Sequence, residues 1–103
     1  MDLDRDLPTF KRDGFRCVYC DFDGRTFQGW AFLQVDHFKP KACGGTDEPN
    51  NLVTSCIICN LMKGATEFAD IAAARVKLRS YWDGEGMRQH WERDIKPLVD
   101  NSK

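Results

Sequence analysis

The chain has 103 residues, the size of one small domain, and its formal net charge of −1 at pH 7 excludes a uniformly basic surface for nucleic acid. Hydrophobic residues make up 42% and charged residues 30%, which excludes an intrinsically disordered chain. No apolar stretch approaches the roughly 20 residues that span a bilayer, and the acidic, proline-containing start MDLDRDLPTF does not resemble a secretory signal, so we expect a cytoplasmic protein without membrane contact.

The first half of the chain predicts one short helix and two extended segments. Residues 7–12 favour a helix that Asp13-Gly14 ends, and the aromatic and β-branched run over 30–35 favours a strand. Glycines and prolines then predict an irregular loop, and residues 51–54 predict a second strand.

The following segments predict helices. A helix over 56–63 starts within the second Cys-x-x-Cys pair and ends at Gly64. A longer helix over 66–82 has Thr66 as its predicted N-cap, and the sequence DGEG over 83–86 breaks it.

A last helix is predicted after this break, with Pro97 marking its end. Its apolar face is formed by Met87, Trp91, Ile95 and Leu98. We therefore expect one domain over 1–103, with a strand–loop–strand–helix core over about 13–64 and a C-terminal helical extension over about 66–98.

Four of the five cysteines form two Cys-x-x-Cys pairs, with 35 residues (21–55) between them. The doubled motif predicts a four-thiolate Zn²⁺ site, and a closed site of this kind is structural. Its ligands are Cys17, Cys20, Cys56 and Cys59. The rival interpretation is a redox pair of thioredoxin type, which needs one pair beside a βαβ pattern that this sequence does not suggest. Cys43 is interpreted as a free thiol.

An ordered set of polar residues accompanies the cysteines, and with them it resembles the HNH endonucleases, whose core is the ββα-metal finger. The resemblance covers residues 13–64. It rests on the segments GFRCVYC (14–20), VDHFKP (35–40), GG (44–45), NNLV (50–53) and CIICNLMKG (56–64). It implies an α+β fold, in which a small zinc-stabilised ββα-metal core carries additional N- and C-terminal helices. It also implies a hydrolase that cleaves phosphodiester bonds in DNA.

The resemblance implies a role for each matching residue. His37 matches the general base and Asn51 the central asparagine of the motif. Asp36 and Asn60 match the ligands of a catalytic Mg²⁺ or Mn²⁺, although many members of the family have histidine at the position of Asn60. From the residues alone, Asn51 either braces the loop or hydrogen-bonds the imidazole of His37.

These residue types suit phosphodiester hydrolysis. An imidazole takes a proton from water near neutral pH, and a divalent ion neutralises charge on the leaving oxygen. One carboxylate and one amide leave such an ion with net positive charge and with open positions for phosphate. Lys63 and Lys39 are candidate phosphate contacts, with an ordinary solvated lysine as the alternative for each.

Two other functions remain open at this point. One is a non-catalytic zinc module that binds nucleic acid or a protein. The other is a nuclease subunit that needs a protein partner, which would dock on the C-terminal helices.

Overall fold

A computed structural model describes residues 4–83 and 86–102, and its centre is a ββα unit. Strands β1 (Leu33–His37) and β2 (Leu52–Cys56) pair antiparallel, with His37 opposite Leu52. Helix α3 (Ile57–Lys63) follows β2 directly. The predicted α+β fold with a strand–loop–strand–helix core is confirmed.

Helices precede and follow this unit along the chain. Before β1 lie α1 (Leu7–Arg12) and α2 (Phe27–Ala31); after α3 lie α4 (Ile71–Asp83), α5 (Met87–His90) and α6 (Lys96–Asp100). A π-helical segment, Trp91–Ile95, joins α5 to α6. Two short 3₁₀ turns, Lys41–Cys43 and Pro49–Asn51, lie in the loop between the strands.

The start of β1 differs from the predicted strand over 30–35. Trp30 lies in α2, because Thr26 caps that helix with a side-chain oxygen that accepts a hydrogen bond from the Gly29 N–H at 2.9 Å. The strand therefore begins at Leu33 and continues to His37. The aromatic residues favoured a strand here, but the Thr26 cap makes this segment helical.

The C-terminal helices also differ from their predicted bounds. Asp70, not Thr66, caps α4, since its carboxylate accepts a hydrogen bond from the Ala73 N–H at 2.8 Å. Pro97 lies in the first turn of α6 and does not end the helical run, because its missing N–H has no intrahelical partner there. The predicted break over 83–86 includes residues 84 and 85, which lie outside the described residues.

The buried core joins the cysteine pairs to α4. Its buried members are Cys17, Tyr19, Cys56, Cys59, Ala74 and Leu78. Two of them, Ala74 and Leu78, come from α4, so this helix of the C-terminal extension packs against the cysteines. The division into a core and an extension stays a prediction.

Arg12 and Asp13 tie α1 to β2. The Asp13 carboxylate accepts hydrogen bonds from the Thr54 N–H at 2.8 Å and from Arg12 at 2.9 Å. Arg12 also donates to the carbonyl of Pro49 at 2.9 Å. Burial by itself would raise the pKa of Asp13, but the hydrogen bonds from Arg12 and Thr54 outweigh it and lower that pKa.

We expect Asp13→Asn to lower the free energy of unfolding by about 1–3 kcal/mol, because it removes charge-assisted hydrogen bonds to Arg12 and Thr54. The folded-state pKa of Asp13 lies below its unfolded value, so its contribution is complete above the unfolded pKa and is lost only as the pH falls through the folded one. Urea unfolding should therefore give the same difference at about pH 5.5 and pH 8. Asp100→Asn, on exposed α6, is the control; a difference that already shrinks near pH 6 would contradict the assignment.

Candidate functional site

The four paired cysteines converge where β2 meets α3. Their Sγ atoms all lie within 4.8 Å of one another, and those of Cys20 and Cys56 are 3.7 Å apart. Two thiolates bound tetrahedrally to zinc at ~2.3 Å lie about 3.8 Å apart, so the arrangement fits this ion. None of the four forms a disulfide, and within residues 4–83 and 86–102 they are the one group of metal-ligating residues of this kind.

Backbone hydrogen bonds shape both cysteine pairs. In the first, the Asp21 N–H donates to the Cys17 carbonyl at 2.9 Å, and Asp21 takes a left-handed conformation with φ of 65°. The Val18 N–H donates to the Thr54 carbonyl at 2.9 Å and ties this turn to β2. In the second, Cys56 is the N-cap of α3, and its Sγ accepts from the Cys59 N–H at 3.3 Å.

The four thiols cannot all ionise on their own at this separation. Hydrogen bonding from Cys20, and from Cys56 and Cys59, lowers the pKa of Cys17. Hydrogen bonding to Cys17 raises the pKa of Cys59. A divalent cation removes this conflict, because it stabilises every thiolate that it binds. The predicted four-cysteine metal site is confirmed as an arrangement that can hold one ion.

His37 ends β1 and carries a ring that lies at the surface, with 31% of its side chain exposed. Its Nε2 is 2.7 Å from Asp47 Oδ1. The other oxygen of Asp47 accepts from Lys41 Nζ at 3.0 Å. The hydrogen bond with His37, and then the one from Lys41, lower the pKa of Asp47. Sequence reasoning missed Asp47, because no spacing rule connects a strand end to a loop residue ten positions later.

Asp36 lies one residue before His37 in β1, and its side chain is buried against Lys63 of α3. Its carboxylate is buried, and Oδ2 accepts a hydrogen bond from the Tyr19 hydroxyl at 2.5 Å. The same oxygen lies 3.2 Å from Lys63 Nζ. Burial, and then the hydrogen bond to Asp36, raise the pKa of Tyr19, so its hydroxyl remains a donor.

The structure corrects the expectation that Lys63 is an exposed lysine, whether solvated or bound to phosphate. Its side chain is 0% exposed, and its ammonium is paired with Asp36 and donates to the His37 carbonyl at 3.2 Å. Lys39, the other predicted phosphate contact, keeps a half-exposed side chain whose Nζ is 4.0 Å from Glu67.

Asn60 lies one helical turn before Lys63, on the same face of α3. Its Nδ2 donates to Gln34 Oε1 at 2.5 Å. Gln34 and Asp36 share one face of β1, so the pair formed by Gln34 and Asn60 lies beside the pair formed by Asp36 and Lys63. In the described part of the chain, Oδ1 of Asp36 and Oδ1 of Asn60 make no hydrogen bond. Oxygen atoms of this kind are the ligands that Mg²⁺ and Mn²⁺ prefer, and their binding of one ion stays a prediction.

Asn51 braces the loop between the strands. Its buried amide accepts from the Lys39 N–H at 2.8 Å and donates to the carbonyls of Lys39 at 3.1 Å and Thr46 at 2.8 Å. Gly45 is required in this loop, because a Cβ there would lie 1.7 Å from the Lys39 carbonyl oxygen. Of the two roles left open for Asn51, this geometry matches bracing, which holds the segment that carries Asp47.

One of three comparisons with known proteins gave a match. Residues 17–66 match a family model described as HNH endonuclease. Searches of curated proteins and of solved structures gave no match. None of the helices in residues 4–83 and 86–102 combines the length and the apolar character needed to cross a membrane.

Proposed function

This chain belongs to the HNH endonuclease family through residues 17–66, and on that premise we propose that it is a metal-dependent endonuclease that hydrolyses phosphodiester bonds in DNA. His37 is the general base, and Asp36 and Asn60 hold a catalytic Mg²⁺ or Mn²⁺. The four cysteines hold a separate, structural Zn²⁺ that takes no part in the reaction. The products carry a 5′-phosphate and a 3′-hydroxyl.

The observation that carries the proposal is a surface imidazole at the end of the strand whose neighbouring residue offers an oxygen ligand. His37 ends β1 with its ring partly exposed to solvent. Asp36 is the residue before it, and its Oδ1 makes no hydrogen bond within the described residues. The Oδ1 atom of Asn60, in α3, also makes none there. When bound, the divalent ion neutralises charge on the phosphate and on the leaving oxygen.

The chain's own residues prepare the carboxylate for this task. Tyr19 and Lys63 hold Oδ2 of Asp36, which fixes the orientation of the group and leaves Oδ1 for a ligand. The ammonium of Lys63 also repels a second cation, so we expect the site to bind Mg²⁺ or Mn²⁺ weakly until DNA adds its negatively charged phosphate. Oxygen ligands favour these hard ions over softer ones.

A plasmid assay tests the proposal. Zinc-loaded protein should convert supercoiled DNA to nicked or linear forms when Mg²⁺ or Mn²⁺ is added. Asn60→Ala should cut about 10- to 100-fold more slowly, because it removes a ligand of the ion while the cysteine site stays intact. Asn101→Ala, at the exposed end of the chain, is the matched control. Absence of cutting by the unaltered protein with either ion, or unchanged cutting by Asn60→Ala, would refute the proposal.

One observation favours the non-catalytic zinc module. The ion pair with the buried Lys63 already neutralises Asp36, the carboxylate that a divalent ion needs. The module hypothesis predicts that Mn²⁺ binding in the presence of DNA is the same for the unaltered protein and for Asp36→Asn. Electron paramagnetic resonance of free Mn²⁺ separates the two functions, since a nuclease site loses affinity in the variant. A protein partner on the C-terminal helices stays a prediction.

A further inference from the structure

The contact between His37 and Asp47 determines which nitrogen of the imidazole is free. We infer that Asp47 is a positioning residue that holds the Nε2–H of His37 and leaves Nδ1 as the proton-accepting atom. The inference rests on the proposed function, since it concerns the same imidazole. The distance of 2.7 Å between Nε2 and Asp47 Oδ1 is that of a short, charge-assisted hydrogen bond.

The chemistry of the two groups fixes the direction of this hydrogen bond. An ionised carboxylate only accepts hydrogen bonds, so the proton lies on Nε2. A neutral imidazole has one protonated and one unprotonated nitrogen, which leaves the lone pair on Nδ1. When Nδ1 takes a proton, the carboxylate of Asp47 also stabilises the positive charge that forms on the ring.

Asp47 is held in place from two directions. Its second oxygen accepts from Lys41 Nζ at 3.0 Å, which fixes the plane of the carboxylate. The preceding residue, Thr46, is tied by its carbonyl to the buried amide of Asn51. The side chain of Asp47 is nevertheless 70% exposed, so it fills no space in the core. An exposed ion pair contributes little to the free energy of folding. The main effect of this contact is therefore to orient the ring of His37.

The proposed hydrolysis needs only His37 and water to accept and return protons. Nδ1 of His37 takes one proton from a water molecule, and the hydroxide oxygen forms a bond to phosphorus. The bond between phosphorus and the 3′ oxygen breaks, and its electron pair leaves with that oxygen. The alkoxide is protonated by water, and the imidazolium returns its proton to solvent, so Asp47 keeps its charge throughout.

Nuclear magnetic resonance of the histidine rings tests where the proton lies, independently of cleavage. The chain has two histidines, His37 and His90, so ¹⁵N-histidine labelling gives two ring systems. In its neutral form, we expect His37 to show a protonated Nε2 and an unprotonated Nδ1. In Asp47→Ala this preference should weaken. Asp94→Ala is the matched control, because Asp94 pairs with Nδ1 of His90 at 2.9 Å on an exposed helix. Protonation of His37 on Nδ1 would overturn the inference. A tautomer preference that stays the same in Asp47→Ala would also overturn it.

Cleavage kinetics test the consequence for the reaction. Asp47→Ala should lower kcat about 10- to 100-fold with little change in KM, and Asp47→Glu should restore part of the loss. Asp94→Ala should cut like the unaltered protein. An unchanged kcat in Asp47→Ala would also overturn the inference. If the unaltered protein does not cut at all, the proposed function fails, and the position of the proton in the spectra still decides whether Asp47 orients the ring.

Discussion

Replacing Cys59 by serine is expected to unfold the domain. Cys59 is fully buried among the other three thiols, and a hydroxyl in its place is a poor ligand for zinc. Structural zinc contributes about 10–16 kcal/mol of apparent binding free energy in small zinc-dependent folds. The whole free energy of unfolding of a domain is typically about 5–15 kcal/mol, so loss of the ion removes most or all of the stability.

Circular dichroism during thermal unfolding, together with the zinc content of the purified protein, checks this expectation. The unaltered protein should hold one zinc per chain and unfold cooperatively, whereas Cys59→Ser should hold much less and lack a cooperative transition. Cys43→Ser is the matched control, because Cys43 is an exposed cysteine outside the cluster. A folded, zinc-free Cys59→Ser protein would show that packing of α4 alone maintains the core.

Replacing His37 by alanine is expected to abolish cleavage while the fold persists. General-base catalysis contributes about 10²- to 10⁴-fold to a rate, and in the proposed site His37 supplies it. The cost to stability should be small, since the ring lies at the surface and its main contact is the exposed Asp47. The variant should still bind zinc and DNA, because neither the cysteine cluster nor the oxygens of Asp36 and Asn60 are altered.

The comparison uses the same plasmid assay, with DNA binding followed by fluorescence anisotropy at fixed salt concentration. His90→Ala supplies the control for loss of a histidine, since His90 lies on exposed α5 and contacts Asp94. Equal cutting by His37→Ala and the unaltered protein would end the assignment of His37. Loss of both cutting and DNA binding would mean that His37 acts in binding rather than in the chemical step.

Part of the structure could be predicted from the sequence, because it depends on residues that are close together in the chain. A Cys-x-x-Cys pair encodes a tight turn locally, and two such pairs are sufficient to predict a four-thiolate site before the turns are placed in space. The helix over residues 7–12 and the end of α3 at Gly64 were likewise predictable from turn and capping residues. The start of β1 was not, because the Thr26 cap extends helical structure through Trp30.

The contacts around the candidate site required the tertiary structure. Lys63 looks like an ordinary surface lysine in the sequence, and only the packing of α3 against β1 buries it beside Asp36. Tyr19 reaches the same carboxylate from the first cysteine pair, 17 residues earlier in the chain.

The sequence by itself determined the family resemblance, the four cysteines that can bind a metal ion and the order of strands and helix around them, because spacing and local propensity encode these features. Only the tertiary structure decided that Asp36 is held by Tyr19 and Lys63, and that Asp47 is the partner of His37. The physical reason is that hydrogen bonds and buried charges join residues that are distant in the chain. Their partners are set by which face of a strand or helix is buried, and that is known only once the elements have packed.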